Sequence, residues 1–267
     1  MNLNKNFNLV LSGGGALGYA HVGVVEKLYE NSLIPKEIIG TSMGSIVGAI
    51  FALKLSKSEF IRMFNEFSNM FKWLSISFSN SSAIDNKKIY KIFDMVFADK
   101  KIKDMPIDIK IISTNFDNAE IRVFDKNDDI YIKDAILSSM SIPGLFQQIE
   151  LENKFYVDGF IGANLPINYV SDNSIDTLAI DVMSIKSIKP FKKSEYKFFG
   201  HTKAIIKSLN RTIRLMAISQ TKEAIKNYKG GNLILIQPNL QGFRTASFHK
   251  YKRIKNIGYL SVSDKVI

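Results

Sequence analysis

The stretch Gly40-Thr41-Ser42-Met43-Gly44 constrains this chain more than any other. The run Glu37-Ile38-Ile39 leads into it, and Ile46, Val47, Ala49, Ile50 and Leu53 follow at helical spacing. Strand, sharp turn and helix is the setting in which G-x-S-x-G becomes a nucleophile elbow. Glycines two before and two after the serine allow a tight turn where a side chain would clash. Such a turn lifts the serine hydroxyl to the end of a sheet, beside the N-terminus of the next helix. The same residues also suit a plain strand-to-helix turn capped by Thr41 or Ser42. The pattern alone does not separate these uses.

A second glycine cluster sits upstream. Phe7 to Ser12 reads as a buried strand and runs directly into Gly13-Gly14-Gly15-Ala16-Leu17-Gly18. Ala20, Val24, Val25 and Leu28 then recur at helical spacing. Gly13, Gly15 and Gly18 satisfy G-x-G-x-x-G, which in this context can hold a dinucleotide. That use requires an acidic residue at the end of the second strand, roughly 20 residues on, to bind a ribose hydroxyl. Glu37 is nearest by count, but it starts its strand, and the strand's end carries the serine elbow. Acyl chemistry uses the glycines more fully. Amides within Gly13-Gly14-Gly15-Ala16, those of Gly14 and Gly15 first, can converge at a helix N-terminus. They would form an oxyanion hole for the charge that develops when a serine attacks an ester.

A serine hydroxyl needs a base. His21 falls one turn into the helix after the glycines, as a packing or surface residue, and His201 and His249 sit in Lys-rich helical context. Asp158 is the stronger candidate. It ends the run Lys154-Phe155-Tyr156-Val157, Gly159 permits a tight turn after it, and Asn164-Leu165-Pro166 fixes the chain beyond. Asp181, within Leu178-Ala179-Ile180-Asp181-Val182, is the rival carboxylate but lacks a following glycine. Alone, Asp158 reads as a turn or cap aspartate.

The remaining pattern alternates helices and strands. Ser56 and Glu59 have capping-box spacing, ahead of a stripe of Phe60, Met63, Phe64, Phe67, Met70, Phe71 and Leu74. Core packing explains such a stripe better than a lid over acyl chains. Asp85 is placed to cap a helix through Phe97, Ile107–Asn115 and Glu120–Phe124 read as strands around Asp117-Asn118, and Tyr131–Met140 as a helix. Gln148–Leu151 and Lys154–Val157 form a hairpin turning at Glu152-Asn153, and Thr177–Met183 is a further buried strand. A Lys-rich connector from Lys186 to Phe199, a long helix through about Lys229, a strand Leu233–Gln237 and a basic helix follow. Strands this apolar argue for a mainly parallel sheet covered on both faces, an α/β chain of one domain over residues 1–267.

Composition bounds the function. Without cysteine there are no disulfides or thiolate metal sites, and the three histidines, His21, His201 and His249, have no ligand spacing, so no structural zinc is expected. The N-terminal residues lack a secretory pattern, and charged residues interrupt every apolar run, so a cytoplasmic protein is the expectation. The formal charge of +11 favours anionic partners, although a bias towards Lys, Ile and Asn runs through the whole chain. Lys186, Lys189, Lys192, Lys193, Lys197 and Lys203 interleave with Phe191, Tyr196, Phe198 and Phe199. Lys250, Lys252, Arg253 and Lys255 lie near Tyr251 and Tyr259. Both clusters suit peripheral binding to an anionic membrane surface or a solvated loop; no nucleic-acid motif accompanies them.

Taken together, Gly13–Gly18, Gly40–Gly44 and Asp158-Gly159 resemble the patatin-like phospholipase family, bacterial branch. Ser141-Ile142-Pro143-Gly144-Leu145-Phe146 is similar to the family's segment before its aspartate, and Asn164-Leu165-Pro166 to the one after it. The motifs span roughly residues 7 to 170. The resemblance implies a three-layer α/β/α sandwich and hydrolysis of lipid acyl esters without a cofactor. It also implies a Ser-Asp dyad, with Ser42 the nucleophile, Asp158 the proton acceptor and Gly14 and Gly15 the first oxyanion donors. Two departures stand out. Leu17 occupies a position where the family often has Arg or Lys, and Phe160 one where a small residue usually follows Asp-Gly. The rivals are a Ser-His-Asp triad using His201 or His249, and a catalytically silent lipid-binding scaffold of the same fold.

Overall fold

The computed structural model describes residues 3–71, 86–188 and 201–263. In chain order its strands are β1 (Phe7–Leu11), β2 (Glu37–Thr41), β3 (Asp108–Asn115), β4 (Ile121–Phe124), β5 (Ile149–Leu151), β6 (Lys154–Asp158), β7 (Asp176–Ile180) and β8 (Leu233–Ile236). The helices are α1 (Tyr19–Glu30), α2 (Met43–Ala52), α3 (Lys57–Met70), α4 (Asn86–Phe97), α5 (Ile132–Met140), α6 (His201–Asn227) and α7 (Tyr251–Leu260). The expected Asp85 cap, Leu74 and most of the Lys-rich connector, Lys189 to Phe199, lie outside the described residues.

All eight strands join one sheet, whose parallel centre runs β3-β2-β1-β7-β8. Antiparallel β4 and β6 attach to β3, and β5 to β6. The β5–β6 hairpin turns at Glu152 and Asn153, both at positive φ (53° and 59°), the geometry that matches the twist of two paired strands. β7 ends three residues before the expected Met183. There the Asp181 carboxylate accepts the Met183 N–H at 3.0 Å, closing a local turn that competes with the ladder.

Alternation along each strand divides the sheet's contacts. Leu9, Leu11, Ile38, Ile109, Ile111, Leu178 and Ile180 pack into the larger core, with side chains from α1 to α5 and α7. Val10, Ile39, Ile112 and Ala179 point the other way, against Leu165, Ile167, Val170 and, from α6, Ala224 and Ile225. The result is a three-layer α/β/α sandwich with unequal outer layers.

The aromatic stripe of α3 belongs to the larger core. Ser56 and Glu59 form the expected capping box at its start. Phe60, Phe64, Phe67 and Phe71 are at most 1% exposed and stack in sequence at ring-centroid distances of 5.0, 6.1 and 5.4 Å. Each contributes about 1.5–3 kcal/mol by leaving water. The stripe is packing.

Candidate active site

The register of β3 brings the two candidate residues together. Thr41, the last residue of β2, faces Ile112, and Asp158, the last residue of β6, faces Ser113. β4 occupies the other edge of β3 at these positions, so β2 and β6 share one edge and meet head to head from opposite directions. Ser42 and Asp158 are what the two strands deliver to that meeting point.

Ser42 sits at φ 54° and ψ −122°, a conformation that costs an L residue about 1–3 kcal/mol and recurs at functional turns. The elbow closes because side chains are missing on both sides of it. A Cβ on Gly40 would lie 2.7 Å from the Gly44 carbonyl oxygen, and one on Gly44 would collide with the Leu11 carbonyl. Gly18 lies against Met43, and Gly159 passes over the Ile112 carbonyl.

The Ser42 hydroxyl donates to Asp158 Oδ2 at 2.7 Å, and the Phe160 N–H donates to Oδ1 at 2.9 Å. Asp158 is 1% exposed and Ser42 5%. Burial pushes the Asp158 carboxyl up to about 7, against the opposing pull of the Phe160 N–H and the Ser42 hydroxyl. Desolvation wins because, among the described residues, only those two donors reach it and no cation is bonded to it.

Within the glycine loop the amides divide into two sets. Gly13 N–H donates to the Asn164 carbonyl at 3.1 Å and Ala16 N–H to the Thr245 carbonyl at 2.7 Å. Their expected part in an oxyanion hole is therefore corrected: both donors are already committed to holding the loop. The amides of Gly14 and Gly15 give no hydrogen bond among the described residues. Gly15 has φ 53° and its Cα faces the Thr245 carbonyl, so neither its conformation nor its surroundings suit a side chain.

The other candidates go elsewhere. His21 is fully buried and not on the surface; its ring nitrogen Nε2 bonds the Ser12 carbonyl at 2.9 Å, and burial lowers its pKa to about 4. His249 is exposed, and the side chain of His201 lies outside the described residues. Asp181 is buried beyond β7, bonded to Gln237 and the Met183 amide, and does not reach Ser42 by a hydrogen bond. Glu37 is held at the start of β2 by Ser171 and Lys110, at the opposite end of the strand from the elbow, which removes the ribose anchor of a dinucleotide site. Among the described residues no three His, Asp or Glu side chains are grouped to hold a metal ion.

Leu17 is fully buried, whereas Phe160, Ser42 and Asn164 crowd the place that a side chain on Gly13 would take. A surface cleft of about 700 Å³, lined by Glu26, Lys57 and Arg62, includes neither Ser42 nor Asp158. One residue escaped the sequence reading. Ser139 Oγ accepts the Ser42 N–H at 2.9 Å. Its signal was the run of hydroxyls at the end of the helix, Ser138-Ser139-Met140-Ser141.

In the second basic cluster, Lys255 pairs with Glu26 at 2.6 Å, Tyr251 is buried, and the Tyr259 hydroxyl donates to Glu30 at 2.7 Å. Those three groups serve the fold, leaving Lys252 and Arg253 exposed. Among the described residues no helix is long and apolar enough to cross a membrane.

Comparison with known proteins finds similar sequences and structures. The family model described as patatin-like phospholipase matches residues 9–171. The lysophospholipase NTE1 of Candida albicans is 26% identical over 283 residues, covering 98% of this chain and 20% of its own length. That of Saccharomyces cerevisiae is 26% identical over 275 residues, covering 94% and 16%. The chain thus spans a fifth or less of these relatives. Among solved structures, VipD from Legionella pneumophila is 13% identical with a TM-score of 0.45, over 94% of this chain and 66% of that one. The type III effector protein ExoU is 14% identical with a TM-score of 0.45, over 97% and 52%.

Proposed function

The chain belongs to the patatin-like phospholipase family, and from that premise we propose that it hydrolyses lipid acyl esters through a Ser42–Asp158 dyad. Lysophospholipids are the first substrates to try, since the curated relatives carry that activity in their names. One observation carries the reading: residues 116 apart in sequence form a buried 2.7 Å hydrogen bond between a strained serine and a carboxylate. An aspartate near its ordinary pKa of about 3.9 is a weak base at neutral pH. Burial that raises Asp158 to about 7 matches its basicity to the task.

In the reaction proposed, Asp158 Oδ2 takes the Ser42 proton as Oγ bonds to the acyl carbon. The resulting oxyanion accepts from the free amides of Gly14 and Gly15. Collapse breaks the ester bond, and the departing alcohol leaves with the proton held by Asp158. Water then gives a proton to Asp158 while its oxygen attacks the acyl-enzyme. The Oγ–acyl bond breaks, Ser42 recovers its proton, and the fatty acid is released. Without a histidine, turnover on unactivated esters is modest.

Lipid esters lie in surfaces, so the reading includes docking on an anionic membrane, supported by the +11 charge. Fatty acid release from lysophosphatidylcholine tests the chemistry. Wild type releases it, and Ser42→Ala and Asp158→Asn lose a thousandfold or more, roughly. Lipid binding without release by wild type would favour the silent scaffold instead. Sedimentation with neutral and anionic vesicles tests docking: equal binding to both would remove the electrostatic part.

A further inference from the structure

An elbow at positive φ needs something to hold it. Ser42 lies just past the last residue of β2 paired with β3, so no strand neighbour receives its amide. The partner comes from α5, which packs on β3. Ser139, fully buried in the last turn of α5, accepts the Ser42 N–H at 2.9 Å and donates its own hydroxyl to the Ile112 carbonyl at 2.6 Å. Ile112 is the β3 residue that faces Thr41. A single hydroxyl thus links the nucleophile's backbone, the strand beside it and the helix above it. Because Ile112 takes the proton, only a lone pair remains to face Ser42, so the hydroxyl has one orientation.

We propose, resting on the dyad reading, that Ser139 is a positioning residue: it fixes the Ser42 backbone so that Oγ meets Asp158 in line with the glycine-loop amides. Misplacing a reacting group by an ångström can cost about a hundredfold. Ser138 is the natural contrast. It is equally buried on the same helix, yet its hydroxyl bonds Ala135 and Ser113 and does not touch the elbow.

The test compares Ser139→Ala, Ser139→Cys and Ser138→Ala with wild type and Ser42→Ala. Thermal midpoint, ester kcat and KM, and the pH profile are measured, with rates expressed per molecule titrated by a fluorophosphonate where Ser42 is present and per folded molecule for Ser42→Ala. Ser139→Cys keeps the side-chain shape with a slightly larger atom while offering a poor sulfur acceptor, and decides the matter if the alanine variant does not fold. Expected is a roughly ten- to hundredfold fall in kcat for the Ser139 variants. KM stays within about twofold, the apparent pKa does not move, and Ser138→Ala keeps wild-type kcat at a similar loss of thermal midpoint. Wild-type kcat per titrated site in the Ser139 variants, or an equal fall in Ser138→Ala, overturns the inference alone. A wild type that hydrolyses no ester, or that keeps its activity in Ser42→Ala, overturns the dyad reading and this inference with it.

Discussion

Asp158 is a carboxylate kept dry, and that has opposite consequences for stability and activity. Its folded pKa, about 7, lies above the ordinary 3.8. The folded state therefore holds a proton that the unfolded state releases, and this contribution to stability is full below about pH 4 and lost as pH rises to about 7. Asp158→Asn keeps the shape without the charge, so it is expected to melt higher than wild type at pH 8, by at most about 4 kcal/mol of stability. The gap closes near pH 4, and calorimetry across that range measures it. The activity of wild type runs the other way, with kcat/KM rising to a plateau through an apparent pKa near 7. Ser42 and Asp158 were legible as residues because glycines bracket one and follow the other. The 2.7 Å bond between them was not, since no local pattern encodes contact across 116 residues. Ser139 was missed for the same reason: a serine in a helix has no signature until its partner strand is placed.

Elements explain why the elbow tolerates so little change. β2 runs into α2 through a turn in which the backbone of Gly44 touches the Leu11 carbonyl of β1. Gly44→Ala is expected to cost about 2–4 kcal/mol, because the obstacle is backbone and cannot rotate away. Urea denaturation measures it, and loss below about 0.5 kcal/mol would contradict the packing described. Strands and helices were read well from the sequence where burial sets the pattern, as in β1, β2 and the capped α3. Their ends were less legible. Thr177–Met183 overran because an apolar run does not reveal that Asp181 will turn on the Met183 amide. The glycine loop was over-credited in the same way, since hydrogen bonds from Gly13 and Ala16 go to segments about 150 and 230 residues downstream.

Across the whole molecule, the matched family segment ends at residue 171, yet the sheet does not. β7 and β8 lie beside β1, and α7 packs on α1 so closely that the backbone of Gly258 meets the Ala20 carbonyl. A chain cut after residue 171 is expected to be insoluble, because it exposes the edge of β1 and the α1 face that α7 covers. Recovery of a soluble, cooperatively melting 1–171 fragment would contradict that. The C-terminal part was the least legible in function: its basic residues suggested a docking surface, but Lys255 and Tyr259 turn out to pair with Glu26 and Glu30. What the whole arrangement asserts is a reactive hydroxyl at the join of β2 and β6. Fluorophosphonate labelling followed by peptide mapping tests it most directly. The adduct should fall on Ser42, form faster as pH rises through about 7, and slow sharply in Asp158→Asn. An adduct on another residue, or labelling of Ser42 indifferent to Asp158, would contradict it.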